Sequence, residues 1–304
     1  MDMKTAPAPV ALAPEARRKR AIVALALLSV YVVWGSTYLV MRIALETIPP
    51  YFMSGARFLL AGGLLYTFLR VRGAPRPSLR QWGAAGLVAG LLLVCGNGFI
   101  ALAEQKVSSS IAAVVVATMP LWMALIGSVR GERPTPREWV GLLIGFAGVV
   151  VLNLGGELGH AGLPVLLLLL LAPITWALGS VWSKRLPLPE GPMATAAEML
   201  VGGAAMLVLG VAQGHHPALP SLRSGLAVGY LVVFGSIIAF SAYGYLLRNT
   251  RPAIATSYAY VNPVIAVALG ALVGHEPVGL LTCGATAIVL TGVVILTRAR
   301  QRAS

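Results

Sequence analysis

Apolar runs of about 20 residues, with no alternation of polarity, recur along this 304-residue chain. Inside lipid a backbone must satisfy its own hydrogen bonds, which leaves helices or a closed barrel. Barrel strands are about 10 residues long and alternate in polarity. These runs do neither, so they predict helices. Composition agrees: 58% of residues are hydrophobic, 11% are charged, and the mean hydropathy is +0.83. A soluble domain carries roughly 25% charged residues. The formal charge of +13 would suit nucleic acid, but the basic residues sit in short clusters between apolar runs, where they act as topology signals. The predicted class is an all-α integral membrane protein.

The runs place ten transmembrane helices at 21–44, 51–69, 82–103, 107–129, 138–155, 163–183, 193–212, 224–247, 252–273 and 278–297. Residues 1–20 read as a disordered basic tail and 298–304 as a second basic tail. The first run is too long for a cleaved signal sequence. With the N-terminus in the cytoplasm, Lys106 and Arg223 are the only basic loop residues that fall outside. The excess of positive charge on the inner side predicts two cytoplasmic termini in a multi-pass inner-membrane protein.

The chain also repeats itself. At an offset of 143, Ile111, Ala112 and Pro120 match Ile254, Ala255 and Pro263. In the same register Gly131, Pro134 and Gly141 match Gly274, Pro277 and Gly284. Trp34 and Pro50 match Trp176 and Pro192 at 142, and Gly62 matches Gly203 at 141. Glycine and proline coincidences in one register mark an internal repeat. The expected units are 21–155 and 163–297. Five helices per unit is an odd number, so the second unit enters the membrane upside-down and the repeat is inverted. Two such bundles can rock about a central site. Small residues four apart, such as Gly141/Gly145 and Gly270/Gly274, suit close helix packing and leave a homodimer face open.

Polar and bent positions within apolar helices carry the functional information. Pro120 and Pro263 free the carbonyls of Val116 and Ala259, and paired breaks in two inverted halves point to a central site. Thr118 lies beside the first proline; Tyr258 and Asn262 lie beside the second and share a face. Trp34, Thr37 and Tyr38 with Met41 form a stripe on the first helix. Trp176 and Ser180, Asn97, and Tyr243 add to an aromatic, mostly uncharged lining suited to amphipathic or aromatic solutes. Three charges lie within helices and are candidates for coupling or gating. Glu198 is the carboxylate clearly inside a helix and the candidate proton carrier. Arg42 and Arg57 read as snorkelling or structural residues near outer helix ends. The histidines His160, His215, His216 and His275 fall in loops without metal spacing, and Cys95 and Cys283 suggest neither a disulfide nor a metal. No cofactor is expected.

The tandem repeat resembles the EamA-type transporters of the drug/metabolite transporter superfamily. The resemblance rests on Trp34-Gly-Ser-Thr-Tyr38, on Ile111-Ala-Ala-Val-Val-Val-Ala-Thr-Met-Pro120, on the Gly131-Glu-Arg-Pro134 turn and on Gly145-Phe-Ala-Gly148. It spans about 22–152 and 164–297 and is strongest toward bacterial inner-membrane exporters of amino acids and other metabolites. It implies a central cavity between five-helix halves and export by alternating access. The second half departs from the pattern at Ala177-Leu178-Gly179. The expected function is secondary transport of a small metabolite, amino acid or drug-like solute, with no nucleic-acid partner. A passive facilitator is the alternative. A membrane-embedded enzyme acting on lipid-linked substrates would need paired carboxylates, an activated nucleophile or metal ligands, and the helices hold none.

Overall fold

The computed structural model describes residues 14–107, 112, 115–129, 131, 133–152, 162–214, 219–274 and 280–298. Ile111, Arg130, Glu132 and the four histidines lie outside the described residues.

The described chain is helical throughout its apolar runs. Helix α1 joins Pro14–Ser29, Val30–Trp34 and Gly35–Ala44. Helix α2 is Pro50–Val71. Helix α3 joins Leu79–Ala89, Gly90–Asn97 and Gly98–Ala103. Then come α4 (Met119–Val129), α5 (Pro136–Leu152), α6 (Leu163–Ser183) and α7 (Pro192–Ala212). Helix α8 joins Leu222–Tyr230, Leu231–Ile238 and Ala239–Asn249. A single turn, Pro252–Ala255, precedes α9 (Tyr258–Gly274), and α10 is Leu280–Arg298. Among the described residues six helices are long and apolar enough to cross a membrane: α1, α2, α3, α6, α7 and α8. The apolar pieces Met119–Val129 and Cys283–Ile295 are shorter.

Local chemistry sets the ends. Proline opens α2 and α7, where its missing N–H costs nothing. Ser78 and Gln81 form a reciprocal capping box on α3. Thr135 and Glu138 do the same on α5: the Thr135 N–H donates to Glu138 Oε2 at 2.7 Å, and the Glu138 N–H donates to Thr135 Oγ1 at 3.3 Å.

Three expectations are corrected. The first helix begins at Pro14, so Arg17, Arg18, Lys19 and Arg20 lie on its exposed first turns rather than in irregular chain. Pro120 does not kink a continuous helix. Ala117 and Thr118 form a turn, and Pro120 is the second residue of α4, a position that tolerates proline. In the second half the break falls at Thr256–Ser257, ahead of Pro263, which sits inside α9. There the hydroxyls of Thr256 and Ser257 turn back onto the carbonyls of Pro252 (2.9 Å) and Ile254 (2.8 Å) and compete with the helical ladder.

Two helix pairs knit the halves together, and each joins a helix to its own repeat equivalent. Helices α2 and α7 meet at glycines: a Cβ on Gly203 would lie 2.5 Å from the Leu59 backbone nitrogen. Helices α5 and α10 meet likewise, a Cβ on Gly292 falling 2.5 Å from the Gly145 nitrogen. Bare backbone contact of this kind is how helices associate where lipid removes the hydrophobic drive. The remaining helices enclose the centre, and Trp34, Trp176, Phe240, Tyr243 and Tyr258 share one buried cluster.

Candidate substrate cavity

The centre is reached through three disturbed helices. α1, α3 and α8 each widen into π-type turns, at Val30–Trp34, Gly90–Asn97 and Leu231–Ile238. Such turns rotate the following side chains away from ideal phase and are frequent at functional sites. The segment in α1 ends on Trp34 and that in α3 on Asn97. The segment in α8 contains Gly235 and Ser236, whose backbone and hydroxyl hold two cavity residues. Trp34 Nε1 donates to the Gly235 carbonyl at 3.0 Å, and Arg57 Nε donates to Ser236 Oγ at 2.7 Å.

Trp34 is the hub of an aromatic box. Its ring centroid lies 4.6 Å from Tyr258, 5.0 Å from Phe240, 5.2 Å from Tyr243 and 5.7 Å from Trp176. Most of these pairs are edge-to-face, each contributing about 0.5–1.5 kcal/mol beyond simple burial. Trp176 Nε1 donates to the Tyr243 hydroxyl at 3.2 Å, which is also 2.8 Å from Ser180 Oγ. The box therefore ties α1 and α6, from opposite halves, through α8 and α9.

Beside the box is a cavity of about 60 Å³. Of the residues expected at the site, Trp34, Thr37, Tyr38, Asn97, Trp176, Tyr258 and Asn262 line it. The stripe residue Met41 and Val116 line it too, together with Ile100 and Phe240, which sequence reasoning did not single out. Tyr38 and Asn262 are hydrogen-bonded through their side chains, and Asn97 Oδ1 accepts from Ser54 Oγ at 3.3 Å. Ser180 and Tyr243 stand behind Trp176 instead of on the surface. Thr118, Pro120 and Pro263 are also off the wall; the Thr118 hydroxyl is turned to the Val115 carbonyl at 2.6 Å.

The three helix charges separate. Arg42 is exposed, as a snorkelling side chain would be. Arg57 is not: it is 2% exposed, lines the cavity and lies over the Phe58 ring at 4.8 Å. Its place near a helix end suggested the headgroups, but α2 packs into the bundle on this face and Ser236 holds the guanidinium inward. Glu198 lines a separate, smaller chamber of about 40 Å³ with Thr195, Tyr243 and Arg248. Phe240 borders both spaces.

Contacts close the bundle at both ends. Where α1 ends and α8 begins, Ser224 Oγ donates to the Ile43 carbonyl at 2.9 Å, and Arg223 approaches Glu46 at 3.5 Å. At the opposite end the buried Glu138 pairs with Arg251 at 3.0 Å, and Arg251 Nη2 donates to the Arg133 carbonyl at 3.0 Å. Among the described residues no cluster of three or more His, Cys, Asp or Glu side chains is arranged to hold a metal.

A helical bundle that crosses the membrane several times around a small polar-aromatic chamber is built as a membrane transporter. The chain belongs to the EamA-like transporter family, which it matches over residues 21–154 and again over 163–298. It is 49% identical over 275 residues to the uncharacterized inner membrane transporter YedA of Escherichia coli K12, covering 90% of this chain and 89% of YedA. It is 27% identical over 285 residues to the chloroplastic WAT1-related protein At3g02690 of Arabidopsis thaliana, covering 89% of this chain and 68% of that protein. A solved crystal structure superposes with a TM-score of 0.75 at 22% identity, covering 94% of this chain and 99% of the other, and shares its fold.

Proposed function

We propose that this protein is a secondary transporter that exports a small metabolite, amino acid or drug-like solute across the cytoplasmic membrane. The solute occupies the central cavity, and the two halves rock about it as an inverted pair, five spans each, with both termini in the cytoplasm. The observation that carries this reading is the aromatic box: Trp34 from the first half and Trp176 from the second meet at 5.7 Å beside the cavity. Rocking one half against the other would part those rings and open the chamber. Metabolite sites occupy about 300–1,000 Å³, so a cavity of about 60 Å³ corresponds to a contracted state that must expand to load. The similarity to YedA, an inner membrane transporter by name, supports the location. Glu198, in its own chamber beside Phe240, is the candidate coupling carboxylate.

Counterflow in proteoliposomes tests the reading. Solute preloaded inside should accelerate entry of labelled solute, saturably. Entry that is linear in concentration and indifferent to preloading would mark a passive pore and overturn it.

A further inference from the structure

The mechanism so far leaves Arg57 unused. Arg57 is 2% exposed and lines the cavity, yet among the described residues its Nη1 has no hydrogen-bond partner and its one side-chain hydrogen bond runs from Nε to Ser236. Among the described residues of the cavity wall there is no carboxylate, so the wall carries a cation without its counter-charge; Glu104, whose buried oxygens also lack partners among the described residues, stands off that wall. A buried guanidinium left this way is costly unless something pairs with it. Across the same space Asn262, also 2% exposed, has an Oδ1 with no partner among the described residues, while its side chain is tied to Tyr38. Apart from Thr37, Asn97 and the tyrosine hydroxyls, the described wall is apolar or aromatic, with Trp34, Trp176, Phe240 and Ile100.

We infer that the transported solute is an organic carboxylate with an aromatic or branched apolar body, anchored by a charge-assisted hydrogen bond from Arg57 Nη1. The inference rests on the transporter reading and names the solute for the same site. The carboxylate supplies the missing counter-charge, and guanidinium groups match carboxylates better than any other side chain does. Asn262 Oδ1 accepts from a second polar group on the solute, such as an ammonium or a hydroxyl. The aromatic box takes the apolar body. Ser236, in the widened part of α8, is the positioning residue that aims Arg57.

The test uses matched probes: phenylalanine, phenylacetate and 4-methylpentanoate, each against its amide, which lacks the carboxylate charge. Binding to purified full-length protein is read from quenching of tryptophan fluorescence, since Trp34 and Trp176 both line the cavity, and exchange is read by counterflow. At least one carboxylate should bind roughly tenfold or more tightly than its amide, as expected for a hydrogen-bonded charge. Arg57→Met should abolish that preference, and Arg57→Lys should restore part of it. Where Arg57→Met does not yield folded protein, the carboxylate–amide comparison on the wild type and on Arg57→Lys still decides. Equal binding of acids and amides, absence of binding by all three acids, or an undiminished preference in Arg57→Met overturns the inference. Saturable counterflow of the amides would then leave the transporter reading standing; preloading without effect for every probe would remove that reading too.

Discussion

The two halves solve the same problem with different chemistry. Each must carry a tryptophan on its first helix into the centre. In α1 the backbone widens over Val30–Trp34, whereas in α6 Pro173 lies three residues before Trp176. Either device loosens the helical ladder and shifts the residues that follow. The third helix of each half uses one device twice: the widened segments Gly90–Asn97 and Leu231–Ile238 are both 8 residues long and stand 141 positions apart. The contrast is sharpest on the second helix. At that same offset of 141, Arg57 corresponds to Glu198. The cation faces the central cavity and the carboxylate a side chamber. The repeat preserves the frame, while the charges it places have diverged.

The shared frame can be broken first. Replacing Gly203 by Leu forces side-chain atoms into the Leu59 backbone. We expect a destabilisation of at least about 3 kcal/mol, read as loss of monodisperse protein in detergent. Gly63 on the same helix α2 has nothing within 4 Å of a built Cβ, so Gly63→Ala should leave the yield intact. Equal effects would mean that the α2–α7 contact is not what joins the halves.

The tryptophan pair comes next. Trp34 touches four rings and donates to a carbonyl across the halves, whereas Trp176 touches three rings and donates to Tyr243. Trp34→Ala should cut the initial rate of transport at least tenfold while the protein still inserts in the membrane. It should also cost more stability than Trp176→Ala, both near the roughly 3–5 kcal/mol range for large core truncations. Equal losses would make the two halves interchangeable at the box.

Smaller effects sharpen the comparison at its edges. Arg251→Ala removes the cation that pairs with buried Glu138. Arg251 is 39% exposed, so the cost should be about 1 kcal/mol, seen as a drop of a few degrees in melting temperature. Glu198→Gln should flatten the pH profile of transport and change stability little. A profile that survives assigns Glu198 a structural role.

Much of this was legible in residue order. Glycine and proline coincidences exposed the repeat, and polar residues in apolar runs exposed Trp34, Thr37, Tyr38, Asn97, Trp176, Tyr258 and Asn262. What could not be read is helical phase. A π-type turn has no residue signature of its own, and each one rotates everything after it. For that reason Tyr243, which follows the widened segment of α8, stands behind the wall and not on it, and Ser180, in α6 after Pro173, stands there with it. Arg57 was misplaced for another reason: linear distance from a helix end measures depth in the membrane, not which face meets the bundle. The signal that would have corrected it was its register with Glu198, since a repeat that aligns two buried charges seldom wastes either on the headgroups.

The most direct test of alternating access through this cavity is the sidedness of one wall residue. Thr37 lines the cavity and is 7% exposed. With Cys95 and Cys283 replaced by alanine, Thr37→Cys can be challenged with a membrane-impermeant thiol reagent in right-side-out and in inverted vesicles. The account predicts labelling from either face, slowed from both by a transported solute. Labelling from one face alone, whatever solute is present, would contradict it.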